Sequence, residues 1–457
     1  MIGRASEALE ERTGGAAFLR KALRYVFPDH WSFLLGEIAL YSFVVLVATG
    51  TFLALFYSPS AATTTYHGSY APLLGQQMTR AYASSLNLSF DVPAGLLMRQ
   101  THHWAALVFV AAITMHLIRI FFTGAFRKPR DLNYYVGLSM LILAVLEGYL
   151  GYSLLDDLLS GMGLAIGNAV ALSLPVIGAP FSTLVWDGRF PGSEVFFSRM
   201  FITHVFILPA IIGALIALHL TLVARPHHTQ FAGARQTERN VVGLPMWPGY
   251  ALRSIGLMLA VAGVLFLLGG LIQINPIWLW GPYHTYQATN GAQPDWYLGW
   301  LIGALRLVPA FDVTIGSYTL IPNPFWGGAL FPLAVFAFLF AWPTIERRVT
   351  GDRAQHNVLD RPRDVPFRTA GGVAVFTFVA TVFLAGSADR AFVQIGIGYE
   401  TQIWIYRALA LVLPFLAYWL TKRICLELRA RELSMGATGA LRRVSRGPGG
   451  GFTQSGR

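Results

Sequence analysis

The chain has 457 residues, of which 54% are hydrophobic and only 12% charged. Soluble domains carry roughly 25% charged residues, so an ordinary soluble globular protein is excluded. The formal charge of +11 invites a nucleic-acid reading that its placement rules out below, and the single cysteine, Cys425, excludes internal disulfides and cysteine-held clusters.

Residues 1–33 read as a polar lead-in of mixed charge, amphipathic from Phe18 to Phe27 and without a cleavable signal. Eight apolar stretches then follow that are long enough, or nearly so, to cross a bilayer: Leu34–Tyr57, Leu96–Phe122, Leu138–Leu155, Met200–Val223, Ile255–Ile274, Phe325–Trp342, Gly371–Ala385 with its flanks, and Trp404–Leu420. The expected fold is therefore an all-α integral membrane protein with eight transmembrane helices. A ninth run, Gly161–Pro180, is uncharged but broken by Gly161, Gly163, Gly167, Asn168, Ser173 and Pro175, and is read as short helices at the outer surface, within 156–198. With eight spans both termini share one side. The opposite side holds only Arg80, Arg99, Arg189, Arg199, Arg306, Arg390 and Arg407 of the 34 Lys and Arg. This is the positive-inside pattern, which places both termini in the cytoplasm and makes the basic charge a matter of topology.

The expected organisation is a lead-in (1–33), a four-helix bundle (34–225), a basic cytoplasmic loop (226–252) and four further spans (253–421). A long outer loop (275–324) interrupts the last part, and a basic tail (422–457) with a Gly-rich end is expected to be disordered.

Four histidines give the bundle its chemistry. His102 and His116 are 14 residues apart in the second stretch, and His204 and His219 are 15 apart in the fourth. At 1.5 Å per residue each pair spans roughly 21–23 Å, and a step of 14 returns to within roughly 40° of its starting direction. Two such helices side by side offer an imidazole pair near each face of the membrane. Paired imidazoles suit the two axial positions of a haem iron, so the pattern reads as two b haems, His102 with His204 outside and His116 with His219 inside. His103 lies roughly 140° off the face of His116 and is set aside as a ligand. The 15-residue step needs one extra residue absorbed, for which a kink or π-bulge near Pro209 and Gly213 is expected. Gly36 and Gly50 in the first stretch, and Gly137 and Gly151 at the third, repeat the 14-residue step, as a macrocycle squeezed between helices requires. Arg99 and Arg119, three residues outside the histidines, either pair with haem propionates or snorkel to the membrane interface. In the outer loop, Pro294-Asp295-Trp296-Tyr297 sets a carboxylate and a phenol where they would bind a quinol hydroxyl and take its proton.

Together these residues resemble cytochrome b of the quinol-oxidising cytochrome bc complexes. Further stretches resemble the actinobacterial branch, whose quinol is usually menaquinol: His30-Trp31-Ser32-Phe33-Leu34-Leu35-Gly36-Glu37, Pro226-His227-His228-Thr229-Gln230-Phe231, Asn275-Pro276-Ile277-Trp278-Leu279-Trp280-Gly281-Pro282-Tyr283 and Leu359-Asp360-Arg361-Pro362-Arg363-Asp364. The similarity covers about 20–430. Two departures stand out: Asp295 where mitochondrial members have Glu, and Leu155 where the family usually has Pro. The tail after the eighth span is also shorter than in many actinobacterial members.

The resemblance implies a subunit of a respiratory quinol–cytochrome c oxidoreductase in the bacterial cell membrane. Quinol binds outside near Asp295, Tyr297, Pro294 and Trp296. One electron goes to a Rieske-type iron–sulfur subunit, the other through two b haems to a quinone inside, with proton translocation. It further implies a c-type cytochrome subunit, a homodimer, contact with membrane lipid and association with a terminal oxidase. For the inner quinone the candidates are Arg253, His227 and His228, with a basic loop that merely faces lipid as the equal alternative. Asp156 and Asp157 are either an outward proton path or solvated loop carboxylates, and Glu147 is an intramembrane acid of unassigned role. Two other readings compete: a di-haem membrane anchor serving another dehydrogenase, which has no need of the Asp295 loop or four extra spans, and a haem-free transporter, which needs intramembrane charges that the last four spans lack apart from Arg407.

Overall fold

The computed structural model describes residues 21–289, 294–440, 443–446 and 452–455. The first part of the Phe18–Phe27 stretch and the glycines at 449–451 lie outside them. Within the described part, Val26–Phe27 is extended and pairs antiparallel with Leu244–Pro245.

Among the described residues eight helices are long and apolar enough to cross a membrane: Trp31–Ala54, Gly95–Thr123, Asp131–Ser153, Glu194–Ala224, Met246–Leu271, Phe325–Thr350, Pro366–Ala385 and Tyr399–Ser434, here spans one to eight. Between spans one and two lies a short helix, α1 (Arg80–Phe90), capped by the Thr79 hydroxyl, which accepts from the Tyr82 N–H at 3.2 Å. The run at 161–180 forms two short helices, α2 (Leu158–Leu172) and α3 (Gly178–Trp186), separated by the Ser173–Ile177 turn around Pro175. Neither is long enough to span.

Spans one to four enclose a core that includes Phe109, Val110, Leu138, Leu141, Ala144 and Ile212. Phe109 lies midway between His102 and His116 in sequence and forms part of the wall of a cavity on either side of it. On the inner side Gln230–Phe231 pairs parallel with Val358–Leu359, tying the 226–252 loop to the connection between spans six and seven. Arg130 gathers the same region, donating to the carbonyls of Pro226, His227 and His356 and to Asn357 Oδ1.

The tail differs from expectation. The last helix runs without a break from Tyr399 to Ala440, twenty residues beyond Leu420, where the apolar pattern stops. Its continuation is rich in Arg, Glu, Leu and Ala, all strong helix formers. Glu432 also meets Arg361 at 3.3 Å and Arg363 at 2.8 Å. Charge density alone suggested disorder, but propensity and this anchoring favour helix.

Candidate functional site

Pro209 shapes the register of span four. It has no N–H to offer the Val205 carbonyl, and the backbone opens into one π-type turn over Thr203–Ile207, with the Leu208 N–H reaching back to the Thr203 carbonyl. The extra residue is absorbed there, and His204 and His219 both face span two. The ring centroids of His102 and His204 are 6.2 Å apart, and those of His116 and His219 are 6.4 Å apart. Two metal–nitrogen bonds of about 2 Å, plus the distance from each ring nitrogen to its centroid, sum to roughly 6.3 Å. Both gaps therefore fit one metal ion between two imidazoles.

The glycines stand behind the rings in the expected order. A Cβ added at Gly50 would lie 3.0 Å from His102 Cε1 and one at Gly151 2.5 Å from His204 Cε1. At the inner level the corresponding values are 3.3 Å from Gly36 to His116 and 3.7 Å from Gly137 to His219. Partners of the outer pair orient the rings. His102 Nδ1 lies 3.0 Å from the Thr49 hydroxyl, which itself donates to the Val45 carbonyl and so accepts from the imidazole. His204 Nδ1 donates to the Glu147 backbone carbonyl at 3.2 Å, and the Glu147 carboxylate lies 2.9 Å from the same nitrogen, which gives Glu147 a place in the site. With Nδ1 carrying the proton, Nε2 keeps its lone pair for a metal.

Each pair opens on its own largely apolar cavity, about 220 Å³ at the outer level and about 260 Å³ at the inner. Arg99 lines the outer cavity and Arg119 the inner, and on each guanidinium the buried Nε and Nη2 have no protein partner. Unpaired buried cations are costly, and an anionic substituent on a bound group would satisfy them. Among the described residues no group of three or more His, Cys, Asp or Glu could hold a metal. Pairs of imidazoles supply two axial ligands and leave the equatorial four to a porphyrin, so the donor set fits haem.

The outer cavity also receives Asp295 and Tyr297. Tyr297 donates its hydroxyl to Asp295 Oδ2 at 3.0 Å, and His103 Nε2 meets Asp295 Oδ1 at 2.7 Å. Burial, with the Asp295 carboxylate beside it, pushes the Tyr297 phenol well up, so it stays a hydrogen-bond donor. His103 was set aside in the sequence because it points away from the ligand face; that direction is what carries it to Asp295. Trp296 is 39% exposed, and neither it nor Pro294 lines the cavity. In the tight turn over Trp296–Leu298 successive side chains diverge, which turns Tyr297 in and Trp296 out.

Asp156 and Asp157 are buried, not solvated. Asp157 caps α2 through the Leu159 N–H and the Ser160 hydroxyl. Asp156 accepts from the Thr79 hydroxyl at 2.5 Å, and burial pushes its carboxyl up to about 7. Leu155, standing where Pro is usual, still closes a turn on the Tyr152 carbonyl and lines the outer cavity.

At the inner level the three candidates separate. Arg253 is exposed and pairs with Asp29 at 2.7 Å, and His227 lines a different cavity beside Lys21, Arg24 and Asn240. His228 lines the inner cavity, and burial together with Arg119 and Arg130 pushes its imidazole down to about 4. Glu37 and Tyr250 line that cavity as well, and sequence reading had given neither a role.

Eight spans with paired imidazoles at two depths of the first four define a membrane-embedded cytochrome of the b type. Residues 107–282 match the family described as cytochrome b(N-terminal)/b6/petB. The chain is 48% identical to the cytochrome bc1 complex cytochrome b subunit of Corynebacterium diphtheriae over 93% of its own length and 78% of the relative's. It is 47% identical to that of Mycobacterium tuberculosis (strain H37Rv), covering 98% and 82%, and 44% to that of Streptomyces coelicolor, covering 94% and 78%. Its fold matches a chain of a hyperthermophilic respiratory Complex III with a TM-score of 0.69 at 21% identity, over 92% of this chain and 98% of that one. The chain belongs to the cytochrome b subunits of cytochrome bc1 complexes.

Proposed function

We propose that this chain oxidises quinol at the outer cavity and reduces quinone at the inner one. In this reading His102 and His204 hold an outer haem b, His116 and His219 an inner one, and both termini lie in the cytoplasm. The observation that carries it is the pair of imidazole gaps, 6.2 and 6.4 Å, each opening on its own cavity. Haem bound at the two levels supplies the one-electron path between the outer quinol and the inner quinone.

The residues of the chain do the rest. Arg99 and Arg119 neutralise the propionates, and the four glycines leave room for the macrocycle. Asp295 accepts a quinol proton, with its carboxylate held by His103 and Tyr297 from two sides. Held this way, it needs little reorganisation when the proton arrives. Tyr152, on the same cavity wall, helps to exclude bulk water. The quinol is menaquinol, as the actinobacterial resemblance implies. The first electron leaves to a Rieske-type iron–sulfur subunit, because a lone cysteine cannot hold a cluster. A c-type cytochrome subunit, a second copy of the chain, a terminal oxidase and membrane lipid complete the proposed surroundings.

A redox titration of the visible spectrum, with haem content measured alongside, tests this. The expected result is two low-spin b haems per chain, separated in potential. One haem or none overturns the ligand assignment for at least one pair.

A further inference from the structure

Glu37 sits in the first turn of span one, beside Gly36, and its carboxylate is surrounded by hydroxyls. Tyr250 donates to Oε1, Ser254 donates to Oε2 at 2.5 Å, and Tyr41 reaches Oε2 at 3.3 Å. Tyr41 and Ser254 also hydrogen-bond to each other. Among the described residues no Lys, Arg or His pairs with Glu37. A carboxyl group at membrane depth without a cation is expensive, and such a group has a functional role by default.

The cluster has two ends. Glu37 and Tyr250 line the inner cavity, together with Arg119, Arg130 and His228. Ser254 follows Arg253, which meets Asp29 at the cytoplasmic surface with both side chains more than half exposed, 61% and 58%. Ser254 is itself part-exposed, so a cluster of exchangeable O–H groups with one carboxyl in its middle lies between that exposed turn and the cavity wall. A purely structural cluster has no need to touch both.

We infer that Glu37 is a catalytic residue that hands protons to the quinone at the inner cavity and is reloaded from the cytoplasm through Ser254. This rests on the proposed reading of the inner cavity as the quinone-reducing site. Quinone takes two electrons, one from each of two quinol oxidations at the outer site, and two protons. Each proton leaves the Glu37 carboxyl for a quinone oxygen, directly or by way of the Tyr250 hydroxyl. The carboxylate left behind takes up a proton from water through Ser254, so the relay turns over twice for each quinol formed.

The test uses the whole complex, purified from membranes carrying Glu37→Gln, Glu37→Asp or Tyr250→Phe. Haem reoxidation by a soluble menaquinone analogue is followed in each, and redox-difference infrared spectra are recorded. Glu37→Gln is expected to slow reoxidation about 100-fold, the usual range for removing a positioned acid. It should keep both haem spectra and the rate at which quinol reduces them, and lose one carboxyl band. Glu37→Asp should recover part of the rate, and Tyr250→Phe should fall between. Wild-type reoxidation in Glu37→Gln, or an unchanged carboxyl band, overturns the inference. So does loss of the inner haem in that variant, which would make Glu37 structural. If quinone fails to reoxidise the haems of the unmodified complex, the inner-site reading itself is what falls.

Discussion

Asp295 is held from two sides, by His103, 192 residues away in sequence, and by Tyr297, two residues on. Its replacement by Asn keeps the shape and removes the base, so quinol oxidation should fall about 100-fold while the haem spectrum stays intact; stopped-flow reduction of the haems by quinol reads this directly. The glycines separate by how close they stand. Gly151→Ala would put a Cβ 2.5 Å from His204 Cε1, whereas Gly137→Ala would make an ordinary contact of 3.7 Å with His219. Gly151→Ala should therefore lose or perturb the outer haem alone, and Gly137→Ala should keep both; low-temperature optical and EPR spectra distinguish the two levels. Histidine and glycine spacings were legible in the sequence because a helix converts spacing into direction. The His103–Asp295 contact was not, because only the packing of span two against the 294–298 turn brings those residues together. Glu37 was equally hidden: its hydroxyl partners Tyr250 and Ser254 come from span five.

Among the elements, span four shows what a local rule can and cannot place. Pro209 announced that an extra residue would be absorbed, and the wide turn lies just before it, over Thr203–Ile207. The 161–180 run was equally readable, since a segment with so many breakers cannot cover the bilayer. The helix beyond Leu420 was not, because the anchoring of Glu432 by Arg361 and Arg363 depends on a connection 70 residues earlier. The N-terminus of α2 carries a pH dependence. Burial raises the carboxyl of Asp156 from 3.8 to about 7 and raises that of Asp157 as well. Folded protein then holds more protons than unfolded chain between those values. The stabilisation is complete below about pH 4 and is lost as pH climbs towards 7. Amide exchange in the first turn of α2 should accelerate over that interval beyond its intrinsic base catalysis; a flat, corrected profile would contradict the assignment.

Across the whole molecule, one ionic network joins the two halves. Arg368 of span seven is 1% exposed and donates to Glu346 of span six, to Asp360 at 2.9 Å, and through Asp360 connects with Arg127 after span two. Removing one member leaves its partner charged and buried. Arg368→Met should destabilise the chain by roughly 3–5 kcal/mol, and pairing it with Glu346→Leu should recover most of that loss. The temperature at which haem is released from the detergent-solubilised complex measures both.

The two imidazole levels are fixed to each other by covalent chain, 14 residues along one helix and 15 along its neighbour. Their separation of roughly 21 Å is a large part of a hydrocarbon core about 30 Å thick. Bilayers thicken and thin with lipid composition, but this ruler does not stretch. When the surrounding film changes, the first four spans cannot slide or re-tilt one by one without breaking a rung. Adjustment falls to the lipid around them and to spans five to eight, in which the ladder has no rung. The same spacing between the two imidazole levels is thereby kept in every membrane the protein inhabits.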